Sequence, residues 1–267
     1  FRVMVPLANP EHETDLITLA SAFARQRGGV LDAVHIITVP DQTSLEYAAD
    51  HLDEQQEDYH EILDDAKRDA ETFGVDVETH TVVSHRSFEE IFSAARDHKA
   101  DLVVMGWGEN AHGSPGRVES AFDDLGMDLP SDFLVLKDRG FDPDRVLVPT
   151  AGGPDSELSA EVARLFKDAY DSEITLLHVA DDREEGEAFL DQWATDHDLA
   201  HASLRVETGD VEEAIERAAE DSSMVILGAT ERGLLSRRVG GSLVADVAEG
   251  VDCSVLLAER AHKRSHR

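Results

Sequence analysis

The chain has 267 residues, 41% of them hydrophobic, which suits one large domain or two of ordinary size with real cores. No stretch approaches the roughly 18–20 apolar residues of a membrane span, and the single cysteine, Cys253, excludes an intrachain disulfide and fits a reducing compartment. Acidic residues number 57 against 24 basic ones, of which five are lysines, for a net charge of −33. That balance argues against nucleic acid as a partner, because neutralising phosphates needs a basic face. Self-repulsion at this density is screened at molar salt, where the Debye length falls to about 3 Å.

From the amino end, Phe1-Arg-Val-Met-Val already reads as a strand, so no signal peptide is expected, and the missing initiator Met is what a segment of a longer protein or a trimmed chain would show. Arg2–Ala8 and Leu31–Ile37 are near-continuous apolar runs of strand length, as expected where both faces of a parallel sheet are buried. A long acidic helix is predicted from about Ser44 to Phe73, with Leu45, Leu52, Tyr59, Ala66 and Phe73 at sevenfold spacing. Such a stripe is expected to cover its own sheet, with a partner helix as the alternative. Phe88, Ile91, Phe92 and Ala95 share a helix face, and Asp101–Gly106 and Asp132–Leu136 complete the strands of this half.

After a Gly/Pro-bearing linker, Asp138-Arg-Gly-Phe-Asp-Pro143, the pattern restarts at a period of about 143 residues. Arg145–Ala151 matches Arg2–Ala8; Ile174–Ala180 matches Leu31–Ile37, so His178 corresponds to His35; Ser223–Gly228 matches Asp101–Gly106, and Cys253–Leu257 matches Asp132–Leu136. Between these, Leu158, Val162, Leu165 and Ala169 fall on one helix face, a shorter helix is predicted from Asp182 to Asp198, and Gly209-Asp210 precedes a capped helix bearing Val211, Ala214, Ile215 and Ala218. Each half therefore reads β-α-β-α-β-α-β-α-β. The predicted fold is α/β, two tandem open doubly wound parallel five-stranded sheets, in domains 1–139 and 144–267.

Chemistry concentrates in Gly228-Ala-Thr-Glu-Arg-Gly-Leu-Leu-Ser-Arg-Arg-Val-Gly-Gly-Ser242. A strand ending at a glycine, a basic loop, and Gly-Gly-Ser opening a helix together make a phosphate cradle. Glycines let backbone approach an anion, and the helix N-terminus offers N–H groups and a favourable dipole. Ala151-Gly-Gly-Pro-Asp-Ser156 has two readings: an anion-binding loop like the Ser-Gly-Gly-x-Asp-Ser of the ATP pyrophosphatases, or a tight turn in which Gly152 and Gly153 bend the chain and Asp155 or Ser156 caps the helix.

Taken together, the strand order, the domain size, Val-Pro closing each first strand and the glycine loop after each fourth strand resemble the universal stress protein family in tandem form, over nearly the whole chain. The resemblance implies a Rossmann-like fold of the adenine nucleotide alpha hydrolase kind. In that family the loop reads Gly, two residues, Gly, nine residues, Gly, then Ser or Thr, and nucleotide-binding members hold ATP with it and reach adenine with an acidic residue after Val-Pro. In the second half Gly228 fits the first position and Gly241 with Ser242 the last pair. Glu231 replaces the middle glycine, with Gly233 nearby and Arg232, Arg237 and Arg238 able to offset its charge. Ala151 stands where the acid would be, and Val179 matches a position whose backbone contacts adenine. The first-half loop places Glu109 and Glu119 at glycine positions, keeps Ser120, and has Ala8 for the acid, so no ATP site is expected there.

The resemblance thus implies ATP or another adenine nucleotide in the second domain only, at Gly152, Gly153, Val179, Gly228, Arg232, Gly241 and Ser242, with no metal beyond a nucleotide-bound Mg. The acidic, lysine-poor composition resembles proteins of extreme halophiles. Val148-Pro-Thr-Ala-Gly-Gly153 resembles stress-protein domains that form the cytoplasmic tail of amino-acid permeases in salt-loving archaea. The expected function is a non-catalytic, cytoplasmic regulatory module. Its terminal strands, Leu134–Leu136 and Val255–Leu257, are edges covered by each other or by a second chain, so that pairing of the two halves or a homodimer is expected. The alternatives are a transporter's regulatory domain that binds no nucleotide, with a membrane domain upstream, and an ATP-hydrolysing or adenylating enzyme using Asp155 and Ser156. His35 and His178 are expected to be buried and hydrogen-bonded rather than metal ligands, Trp107 and Trp193 to be packing residues, Cys253 to be buried, Asp123-Asp124 and Asp181-Asp182 to be solvated surface, and the basic tail His262–Arg267 to be a frayed terminus.

Overall fold

A computed structural model of the chain describes residues 1–7, 13–50, 57–85, 87–107, 129–228 and 243–261. They form two compact units: the described residues of Phe1–Gly106 with 129–133 and Ala261, and Trp107 with 134–260.

The first unit holds strands β1 (Arg2–Leu7), β2 (Val30–Thr38), β3 (Val77–Ser84) and β4 (Leu102–Gly106), with helices α1 (Glu13–Arg27), α2 (Leu45–Asp50), α3 (Glu57–Thr72) and α4 (Ser87–Asp97). Its strands run in the order β3-β2-β1-β4, and β1 pairs parallel with β2 and β4, as β2 does with β3. The apolar runs fill the sheet as their composition requires, with Val3, Met4, Val5, Leu31 and Val34 fully buried. By contrast β3 is half polar, and its residues 78–81 are exposed. Strand β5 (Asp132–Lys137) starts in this unit, where Phe133 stacks on Phe92 with ring centroids 5.0 Å apart, and ends in the second.

The acidic helical region is described as α2 and α3, with 51–56 outside the described residues. Helix α3 packs on α1, β2 and β3, as expected of a stripe that covers its own sheet. The buried set is Ile62, Leu63, Ala66 and Ala70, an ordinary helical face in which only Ala66 belongs to the sevenfold stripe, while Leu45 is 40% exposed. Leu52 and the side chain of Tyr59 lie outside the described residues.

The second unit holds β6 (Arg145–Pro149), α5 (Pro154–Tyr170), β7 (Glu173–Val179), α6 (Arg183–Asp196), β8 (Ser203–Glu207), α7 (Val211–Ala219), β9 (Met224–Gly228), α8 (Leu243–Gly250) and β10 (Ser254–Glu259). Its strand order is β5-β10-β9-β6-β7-β8, and β6 pairs parallel with β7 and β9, β7 with β8, and β9 with β10. With β1–β4 this is the α/β, doubly wound parallel architecture expected, built on ten strands. Leu158, Val162 and Leu165 are buried on α5, and Ala214, Ile215 and Ala218 on α7, whereas Val211 is 42% exposed because it occupies the first turn of α7.

Local chemistry fixes the ends of these elements. Asp210 caps α7 by accepting from the Glu213 N–H at 3.1 Å, and Asp182, expected as solvated surface, caps α6 by accepting from Glu184 and Glu185 N–H groups. The linker is packed: Phe141 meets Phe166 and Tyr170 edge-on, the Arg139 N–H donates to Ser254 Oγ at 2.8 Å, and its guanidinium donates to the Val251 carbonyl. No helix among the described residues is long and apolar enough to cross a membrane.

Candidate functional site

At the carboxyl ends of β6, β7 and β9 the second unit brings together Gly152, Gly153, Val179 and Gly228, four of the residues read from the sequence; Arg232, Gly241 and Ser242 lie outside the described residues. The turn leaving β6 is made possible by φ of 82° at Gly152 and 91° at Gly153, a region costly for residues with a Cβ. Gly153 is the N-cap of α5 and Pro154 follows inside the helix, so the helix opens with no side-chain cap on its first N–H groups. Neither Asp155 nor Ser156 caps it, contrary to the turn reading. Asp155 is 2% exposed, and its carboxylate accepts from the backbone N–H of Arg260 at 3.0 Å. The Ser156 hydroxyl donates to the Gly152 carbonyl at 2.9 Å and so locks the turn from below. Both side chains named for adenylation chemistry therefore hold structure in place.

Gly228 has a packing reason beyond anion approach. A Cβ there would come within 2.9 Å of the Asp155 carbonyl carbon and oxygen and 3.0 Å of the Ser156 nitrogen, so the end of β9 lies directly against the first turn of α5. A wall of the site comes from α6. Half-buried Phe189 tilts over the His178 ring at 4.4 Å and would touch a Cβ on Gly152 at 3.7 Å. Nδ1–H of His178 donates to the Thr150 carbonyl at 2.8 Å, and His35 makes the matching bond to the Leu7 carbonyl at 3.0 Å. The two matched histidines thus tie the second strand of each half to the end of the first; both are hydrogen-bonded as expected, but His35 is buried whereas His178 is only half-buried. Burial holds the His35 imidazole below its ordinary pKa, with the Leu7 bond opposing.

Beneath the turn lies an acidic group that the sequence reading missed. Glu259, 5% exposed, has its carboxyl pushed up to about 7 by burial and then by the charge of Asp155. Beside it the Arg260 guanidinium meets Glu161 at 2.7 Å. More than a hundred positions separate Asp155 from Glu259 in the sequence, so only the fold brings them together.

The other singled-out residues pack. Trp107 and Trp193 are buried, the first beneath Lys137, whose ammonium lies 5.7 Å from the ring centroid, the second stacked on His197. Cys253 is half-buried and immediately precedes β10, and burial pushes its thiol pKa up, against nucleophilic use. Asp123-Asp124 and His262–Arg267 lie outside the described residues.

An open parallel sheet with a glycine turn at the carboxyl end of its first strand defines a Rossmann-like fold class. The model of the universal stress protein family matches residues 1–125 and 191–259, and the chain belongs to that family. No curated protein matches the chain. Among solved structures, a universal stress protein from Archaeoglobus fulgidus DSM 4304 is 17% identical with a TM-score of 0.65, covering 97% of this chain and 96% of its own. A protein of unknown function from Pseudomonas aeruginosa PAO1 is 15% identical with a TM-score of 0.60 (97% and 92% covered). The cytoplasmic domain of a prokaryotic cation chloride cotransporter is 11% identical with a TM-score of 0.58 (97% and 95% covered). These likenesses share the fold over nearly full length.

Proposed function

We propose that the chain is a non-catalytic regulatory module whose second unit takes an adenine nucleotide, or a related phosphate anion, as its signal. The observation that carries this reading is the β6–α5 turn: two glycines at positive φ, then a helix opening without a side-chain cap, beside the end of β9 from which the glycine loop departs. Arg232, Gly241 and Ser242 of that loop would meet the phosphates, Mg would enter only with them, and Phe189 beside Gly152 would offer the base an aromatic face where Ala151 supplies no acid. Binding would shift an equilibrium between conformers or assemblies. The terminal strands β5 and β10, expected as a homodimer edge, are instead neighbours within the sheet, so their edges are already paired. The test is calorimetry with ATP, ADP, AMP and cyclic dinucleotides in molar KCl, comparing wild type with Gly241→Asp. Binding by wild type that the added carboxylate abolishes is expected; no binding of any of these nucleotides by wild type contradicts the reading.

A second reading, the cytoplasmic regulatory domain of a transporter, is favoured by the Val148–Gly153 resemblance, and a cotransporter's cytoplasmic domain uses the same fold. The gene around Phe1 tests it. About a dozen apolar spans in the same reading frame support it, and a start codon immediately before Phe1 contradicts it.

A further inference from the structure

At the opposite, amino-terminal side of the first unit's sheet, β2 carries an acid inside an apolar run. Asp32 is fully buried, between Leu31 and Ala33, where a carboxylate needs compensating partners. Strand register supplies some of them. Asp32 pairs with Glu78 of β3, and His80 stands two residues further along β3 on the same face. The third group, His98, arrives from the end of α4, where its N–H bonds the Ala94 carbonyl and Lys99 at φ 55° stops the helix. His98 Nδ1–H donates to Asp32 Oδ2 at 2.7 Å, and His80 Nε2 lies 3.4 Å from Asp32 Oδ1. Oδ1 is buried and makes no hydrogen bond. The two imidazoles approach edge to face, with centroids 4.6 Å apart.

We propose that Asp32, His80 and His98 form a binding site for a first-row divalent transition metal, zinc above all, that staples β3 and the end of α4 to β2. The three ligand atoms all lie within 4.8 Å of one another. Around a tetrahedral zinc with bonds of about 2.0–2.2 Å, ligand atoms sit roughly 3.4 Å apart. The Asp32–His80 spacing already has that value; His98 must give up its Nδ1 proton and shift as the ligand atoms, now within 4.8 Å of one another, close on the metal. Two imidazoles and one carboxylate favour zinc over the oxygen-seeking magnesium or calcium. Arg2 is the competing cation: its Nη1 lies 3.5 Å from Asp32 Oδ2 but 2.6 Å from Glu78 Oε2. The closer Arg2–Glu78 pair leaves Asp32 to the two histidines, which reach it from β3 and from the end of α4. The site has no counterpart in the second half, where the positions matched to Asp32 and His80 are Thr175 and Arg205.

The test uses the whole chain, stripped with chelator and titrated with Zn²⁺ in molar KCl, then with Co²⁺ for its visible d–d bands. Wild type is compared with His80→Ala, His98→Ala and the double variant, and metal-free thermal unfolding of each identifies any variant damaged in its fold. One equivalent of zinc, a Tm raised by zinc in wild type alone, tetrahedral-type cobalt bands, and at least about 100-fold weaker binding in the variants are expected; loss of even an outer-shell partner costs 10–100-fold. No stoichiometric binding by wild type, or binding undiminished in the double variant, overturns the site.

Discussion

The two halves repeat one sequence pattern on one scaffold, yet they concentrate polar groups at opposite ends of their sheets. In the second unit Gly152, Gly153 and Gly228 open the carboxyl end of the strands, over the buried acids Asp155 and Glu259. In the first, Asp32, His80 and His98 gather at the amino end. The strands of both halves stay apolar because each needs a core, while the groups at the strand ends and sheet edges differ between them.

Glu259 is expected to give the largest effect, and only in the second unit. The folded-state pKa, about 7, lies above the ordinary 4.5, so the protonated form carries the stability. That contribution is complete below pH 4.5 and is lost as pH rises through 7, by about 3 kcal/mol at 1.4 kcal/mol per pH unit. Glu259→Gln should therefore flatten denaturant-measured stability between pH 5 and 8 and be the more stable protein at pH 8. An unchanged slope would mean that some other group titrates.

Next comes the matched glycine pair. Gly228→Ala presses a methyl against the backbone of α5 and should destabilise by about 2 kcal/mol, within the range for overpacking. Among the described residues a Gly106→Ala methyl meets nothing nearer than Leu16 Cδ1 at 3.8 Å, and it should shift unfolding by less than about 0.5 kcal/mol. Equal costs in urea titrations would erase the distinction between the two strand ends. Gly152→Ala falls between Gly228→Ala and Gly106→Ala: its methyl finds only ordinary contact with Phe189 but must sit at φ 82°, for about 1 kcal/mol of lost stability by the same measurement.

Much of this architecture was legible in the sequence. Strands buried on both faces announce themselves as apolar runs, so β1, β2, β4, β6, β7, β9 and β10 stood within a residue or two of their places. Strand β3 did not announce itself, because Glu78, Thr79, His80 and Thr81 are polar and exposed. The glycines of the β6–α5 turn were legible for the same reason that they matter, their φ. What sequence reasoning missed were groups assembled only by the fold: Glu259 against Asp155, and Asp32 with His80 and His98, whose ligands come from two strands and a helix end with no short spacing to betray them. Histidine at position 35 drew attention by its repeat partner, whereas His80 and His98 had none.

The proposed asymmetry between the halves is measured by the number of nucleotides bound per chain. Equilibrium dialysis with radiolabelled ATP in molar KCl should saturate at one per chain in wild type and at none in Gly241→Asp. Saturation at two, at none in wild type, or at one in Gly241→Asp, would contradict it.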